Sequence, residues 1–142
     1  MTIQQISVFV ENKVGNLAEL INLLSQNDID LMAISVAETQ EYGVIRLIVN
    51  DTERAEALLA KNGWVHIITP VLAVTIVNEP GQLAKILTLL AQAGVGVEYA
   101  YSFLSKEPGH VHMVFRVEDN EKAENVLMGA GVRLVDDEDV KP

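Results

Sequence analysis

One stretch of fifteen residues occurs twice in this chain. A shift of 66 residues lays Asn12–Gln26 over Asn78–Gln92 with seven identical pairs: Asn12/Asn78, Gly15/Gly81, Leu17/Leu83, Ala18/Ala84, Leu23/Leu89, Leu24/Leu90 and Gln26/Gln92. The repeated piece reads as a strand end, a glycine-bearing turn and the start of an apolar helix. Such a helix start offers an anion backbone N–H groups that have no intrahelical acceptor. The repeat also divides the chain into two units, residues 1–70 and 71–142, with Pro70 at the joint. Each unit alone lies near the small end of what forms a sufficient core.

Hydrophobic periodicity gives both units the same element order. Ile6–Val10 is β-rich, and Leu17, Leu20, Ile21 and Leu24 follow helical spacing. Strands are predicted over 31–38 and 44–49, joined through a Tyr42-Gly43 turn, then a helix capped by Asp51 and a strand over 64–69. From Leu72 the pattern returns: strand 72–77, helix 81–93, strands 97–104 and 110–117, helix 119–130 and strand 132–135. In this later part the offset becomes 68, pairing Asp51 with Asp119 and Glu53 with Glu121. The two extra residues fall in the Ser105–Gly109 turn, where an insertion costs little.

This is an α+β chain of two ferredoxin-like βαββαβ units, with antiparallel sheets and helices on one face. Ile6, Val8, Val10, Ile45, Leu47 and Val49 are predicted to face the helices of the first unit. Their counterparts are Leu72, Val74, Ile76, Met113, Phe115 and Val117. The other face carries Ser7, Phe9, Arg46 and Ile48, and in the second unit Thr75, Val77, His112, Val114 and Arg116. Such a mixed face suits a second copy stacking sheet to sheet, so a homodimer is expected.

Net charge is −10, and both halves are acidic: four basic and nine acidic side chains in residues 1–70, six and eleven in 71–142. Phosphate-backbone binding needs clustered Lys and Arg, which argues against nucleic acid and anionic membranes as partners. There is no cysteine, which excludes disulfides and thiolate chemistry. The polar Met1–Gln5 stretch does not resemble a signal peptide and no apolar run is long enough to span a bilayer. A cytoplasmic protein is expected.

The repeated turn is the leading candidate site. Gly15 and Gly81 let the backbone approach a ligand with no Cβ in the way. The amides that follow, on Asn16, Leu17, Gln82 and Leu83, belong to the first helical turn, where a bound carboxylate gains charge-assisted hydrogen bonds. Asn12 and Asn78 add a polar side chain. A purely structural turn former would carry the same residues.

The Asn-x-x-Gly-x-Leu turn, set within a doubled βαββαβ unit, resembles the ACT domain, with Asn78-Glu79-Pro80-Gly81-Gln82-Leu83 the closer copy. The resemblance covers nearly the whole chain as two tandem ACT domains with no catalytic domain attached. It implies regulation by small molecules, most often amino acids. It also implies sheets joined side by side as a pseudo-dimer, with ligand between the first turn of one domain and the second-strand entry of its neighbour. One implied site combines Glu11, Asn12, Val14, Gly15, Asn16 and Leu17 with Gly96, Val97 and Glu98. Its mate combines Asn78, Pro80, Gly81, Gln82 and Leu83 with Ile29, Asp30 and Leu31. Many amino-acid-binding ACT domains place a polar residue just before the second strand. Here that residue is Asp30 in one half and Gly96 in the other. An aspartate can pair with an ammonium group and a glycine cannot, so the two sites are expected to be unequal, with the Gly81/Asp30 site the better equipped.

Other features are read as structural. His110-x-His112 could suit a metal, but no cysteine, third ligand or matching pair accompanies it, so no metal and no cofactor is expected. These histidines are expected to line the open sheet face or a dimer contact. Tyr99 and Tyr101 are assigned to core packing, and Asp136-Asp137-Glu138-Asp139 to a solvated tail. No residue set for acid–base or nucleophilic catalysis is visible, so the chain is not expected to be an enzyme. Acylphosphatases and RNA-recognition modules share the βαββαβ fold, but the latter need a basic surface with exposed aromatics. The main alternative is a regulatory subunit that binds and controls an amino-acid-metabolic enzyme, similar to the small subunit of acetolactate synthase.

Overall fold

The computed structural model describes residues 1–11, 13–38 and 42–141. The first half holds β1 (Ile3–Glu11), α1 (Asn16–Gln26), β2 (Leu31–Glu38), β3 (Tyr42–Val49) and α2 (Thr52–Lys61). β4 (Val65–Val77) follows, then α3 (Gln82–Gln92), β5 (Val97–Leu104), β6 (His110–Val117), α4 (Asn120–Gly129) and the short β7 (Arg133–Leu134). The chain clusters into two compact units. One is Gln4–Thr69 with the segment that starts at Val140; the other is Pro70–Asp139 with Met1–Ile3. Both are ferredoxin-like, with antiparallel strands and two helices.

In the first unit β3 pairs with both β1 and β2, in the registers Val8↔Ile45 and Val36↔Ile45. Alternation then points Ile6, Val8, Ile45, Leu47 and Val49 to one face. There they form a core with Leu20 and Leu24 of α1 and with Ala55 and Leu59 of α2. The second unit repeats the plan around β6, with Leu72↔Phe115 and Val74↔Met113 in register. Leu72, Val74, Met113, Phe115 and Val117 meet Ile86 and Leu90 of α3 and Ala123 and Leu127 of α4. The predicted inward faces are those observed.

Four local readings need correction. Tyr42 and Gly43 are strand residues, paired with Glu11 and Val10; residues 39–41 lie outside the described residues. Pro70 does not break the chain into two strands, since β4 runs through it. Proline is tolerated in a strand where its nitrogen faces no ladder partner. Pro70 is exposed and its carbonyl accepts a hydrogen bond from Asn120 Nδ2 at 3.3 Å.

The third correction concerns the sheet face away from the helices, which is less open than its mixed composition suggests. Ser7, Ile48, His112 and Val114 are all buried within the single chain. Fourth, the acidic tail is folded. Asp136 N–H donates to Asp139 Oδ2 and Asp139 N–H to Asp136 Oδ1, both at 3.0 Å. The Val135 amide ties this segment to Ala73 O at 2.8 Å.

Both second helices start as predicted. Asp51 accepts from the Arg54 amide at 3.1 Å, and Asp119 accepts from the Lys122 amide at 3.0 Å. Each aspartate satisfies an amide with no intrahelical acceptor and sits at the positive end of its helix dipole. Replacing either by alanine is expected to destabilise the protein by about 1 kcal/mol, measured by chemical denaturation, with Asn at the same position losing much less.

Candidate functional site

The two repeated turns have the same backbone. Gly15 has φ 91° and Gly81 φ 90°, left-handed values at the helix N-cap that L side chains rarely adopt. In each, an amide two residues past the strand's end folds back: Lys13 N–H to Glu11 O at 2.8 Å, Glu79 N–H to Val77 O at 2.9 Å. The Asn16 amide donates to Lys13 O at 3.2 Å, and the Gln82 amide reaches Glu79 O at a long 3.4 Å. These two amides are therefore partly engaged, which the sequence pattern did not show. The amides of Leu17 and Leu83 carry no such turn bond among the described residues. Both leucine side chains are exposed, at 40% and 38%, outside the cores their spacing suggested.

The turns differ in charge. In the first, Lys13 Nζ lies 2.6 Å from Glu11 Oε2, and this hydrogen bond holds the Glu11 carboxyl below its ordinary range. Asn16 Nδ2 donates to Glu11 O at 2.8 Å. Asn12 lies outside the described residues. In the second turn Asn78, Glu79, Pro80 and Gly81 are all exposed, and the Asn78 amide donates to Gly109 O at 2.8 Å.

The entry to β2 forms the other part of the site predicted from sequence. Ile29 is buried, its side chain part of the first unit's core. Asp30 is exposed and is bracketed by Asn50. Its amide donates to Asn50 Oδ1 at 3.0 Å, and its carbonyl accepts from the Asn50 amide at 3.1 Å. No cation lies within ion-pair distance of the Asp30 carboxylate among the described residues. Ser25, Asp28, Ile29, Asp30 and Leu31 line a cavity of about 290 Å³. A larger groove of about 520 Å³ runs from Gly15 along α1 to Trp64; nothing in the sequence pattern signalled it.

At the corresponding entry to β5, Val97 and Glu98 are exposed. Glu98 Oε2 is 3.5 Å from Arg116 Nε, so this predicted site residue already has a cationic partner. Both second strands carry a bulge just past their entry, between Leu31 and Ala33 and between Val97 and Tyr99. The bulge reverses the alternation that follows. Tyr99 and Tyr101 thus pair with Arg116 and Val114 and are half-buried on the face away from the helices, not in the core.

The two histidines of the second unit are also separated by their surroundings. His110 Nδ1 contacts Pro108 O at 3.1 Å. His112 is buried, shares a hydrogen bond of 3.0 Å with Thr75 Oγ1, and lies 4.8 Å from the Phe103 ring. No group of three or more His, Asp or Glu side chains suited to a metal occurs among the described residues.

A family model described as an ACT domain pair matches residues 1–142. The solved structure of protein BT0572 from Bacteroides thetaiotaomicron is 36% identical, with a TM-score of 0.92 over 99% of this chain and 96% of that one. The chain belongs to the ACT domain pair family. The regulatory subunits of aspartate kinase from Thermus thermophilus and Thermus flavus share the fold at 18% and 19% identity, with TM-scores of 0.64 and 0.59. Those similarities span 89% and 90% of this chain and 91% and 92% of the subunits. No curated protein matches. ACT domains are regulatory, and no helix among the described residues is long and apolar enough to cross a membrane.

Burial holds the His112 imidazole below its ordinary value of 6.5, opposed by Asp139 and Glu107 and reinforced by Arg133. The unfolded chain therefore takes up this proton first as pH falls. The stability linked to His112 is present above 6.5 and is lost as pH falls through that value towards the folded one. Asp139, held low chiefly by the Asp136 backbone, starts from 3.8 and stays charged across that window. Melting temperature is expected to drop between about pH 8 and about pH 5, and to drop less in His112→Gln.

Proposed function

We propose that this chain is a non-catalytic regulatory protein that binds an amino acid. The observation that carries this reading is Asp30: Asn50 fixes its backbone at a small cavity, and its carboxylate has no cationic partner among the described residues. An acid held that way suits an α-ammonium group. A left-handed glycine followed by a helix start, with its exposed leucine, suits the α-carboxylate and an apolar side chain. The cavity of about 290 Å³ is of the size that takes a small metabolite.

A second reading, control of a catalytic partner, is favoured by one surface feature. β2 stands at the end of the strand order, and it exposes Ile34 and Val36, 43% and 50% accessible. Exposed apolar side chains on an unpaired strand edge suit a protein partner. Co-purification from source cells, with and without added amino acid, divides the two readings.

Calorimetry of the protein against the twenty proteinogenic amino acids is expected to give saturable heat for at least one. Asp30→Ala should weaken that binding about tenfold or more, the scale of a lost charge-assisted hydrogen bond. Absent heats and unchanged melting temperatures for all twenty would refute the reading.

A further inference from the structure

The Asp30 position of the first unit is vacated in the second, where Gly96 stands. The structure shows what occupies the space. A Cβ built on Gly96 would lie 1.8 Å from Glu118 Oε1 and 2.7 Å from Glu118 Cδ. The Glu118 carboxylate therefore sits where the side chain of a residue at 96 would begin.

The two positions are equivalent by backbone as well as by sequence offset. In the first unit the Asn50 amide donates to Asp30 O at 3.1 Å; in the second the Glu118 amide donates to Gly96 O, also at 3.1 Å. The strand bulge follows directly in each. Asp30 opposite Asn50 is thus replaced by Gly96 opposite Glu118: an acid and a neutral residue in each pair, with the acid on the other strand. Glycine at 96 is required for this exchange, because any Cβ there would displace the carboxylate.

Glu118 is also the acid left available at that place. The neighbouring Glu98 is engaged by Arg116 at 3.5 Å. Glu118 is exposed and has no ion-pair partner among the described residues. Lys122 Nζ lies 3.8 Å from a Cβ built on Gly94 and forms no ion pair with Glu118 among the described residues.

We propose that Glu118 is the ammonium-holding residue of the second unit, presented over Gly96 in place of an aspartate, so that each chain carries two amino acid sites instead of one. This rests on the amino-acid-binding reading above and extends it to a second site.

Calorimetric titration of the whole 142-residue protein with each of the twenty proteinogenic amino acids tests it. For an amino acid that gives heat, saturation at two equivalents per chain is expected. Asp30→Ala should abolish or weaken one equivalent about tenfold, and Glu118→Gln the other. Gly96→Ala should act like Glu118→Gln, because the new Cβ pushes the carboxylate aside. The combined Gly96→Asp and Glu118→Asn variant, which transplants the first unit's pair, should restore binding. Saturation at one equivalent, lost in Asp30→Ala and untouched by Glu118→Gln, overturns the Glu118 assignment while leaving the function intact. Failure of the transplanted pair to restore binding also overturns it. Absence of heat for every amino acid overturns both.

Discussion

Each unit is organised by one cross-strand hydrogen bond at the entry to its second strand. The amide at the end of the third strand, Asn50 or Glu118, donates to the carbonyl of Asp30 or Gly96. That bond ends the ladder at a fixed residue, and the bulge beyond it sets which side of the sheet every later side chain faces. Shifting that bond by one residue would turn the inward row of the strand outward. It also determines what stands at the mouth of each unit, since the groups on either side of it are the ones that reach solvent there.

Around these fixed points the two halves keep the parts that packing needs and vary the parts it does not. The left-handed glycines are kept because the chain must turn sharply from strand into helix. The capping aspartates are kept because an unsatisfied amide at a helix start is costly. By contrast, the turn before the first helix carries a Lys13–Glu11 ion pair, while the corresponding turn of the second half has Glu79 and Pro80. Those differences lie on exposed positions, where they change the local charge but not the fold.

Much of this was legible in the residues. The alternation of Ile6, Val8, Ile45 and Leu47 named the inner face, and Asp51 and Asp119 named two helix starts. What escaped were effects that arise only when strands are in register. Counting by twos from Val97 places Tyr99 and Tyr101 in the core; a single extra residue in the bulge puts them on the opposite face. Counting by offsets places Gly96 against Asp30 and finds no acid, because the acid comes from Glu118 on the adjoining strand. Likewise Asp136 and Asp139 read as a run of repelling charges until their reciprocal bonds to each other's amides are seen. Position in a line of text carries local preference; it does not carry which strand lies alongside.

The ends of the chain bear on how it can be dissected. Met1–Ile3 belongs with Pro70–Asp139, and the segment from Val140 belongs with Gln4–Thr69. Ile3 and Val140 are both buried. A gene cut at Pro70 would therefore not yield two self-sufficient halves. Each fragment would carry a short piece suited to its counterpart and lack the one suited to itself. The duplication is visible in the sequence as two successive beads, but the membership of the two compact units does not follow the order of the chain.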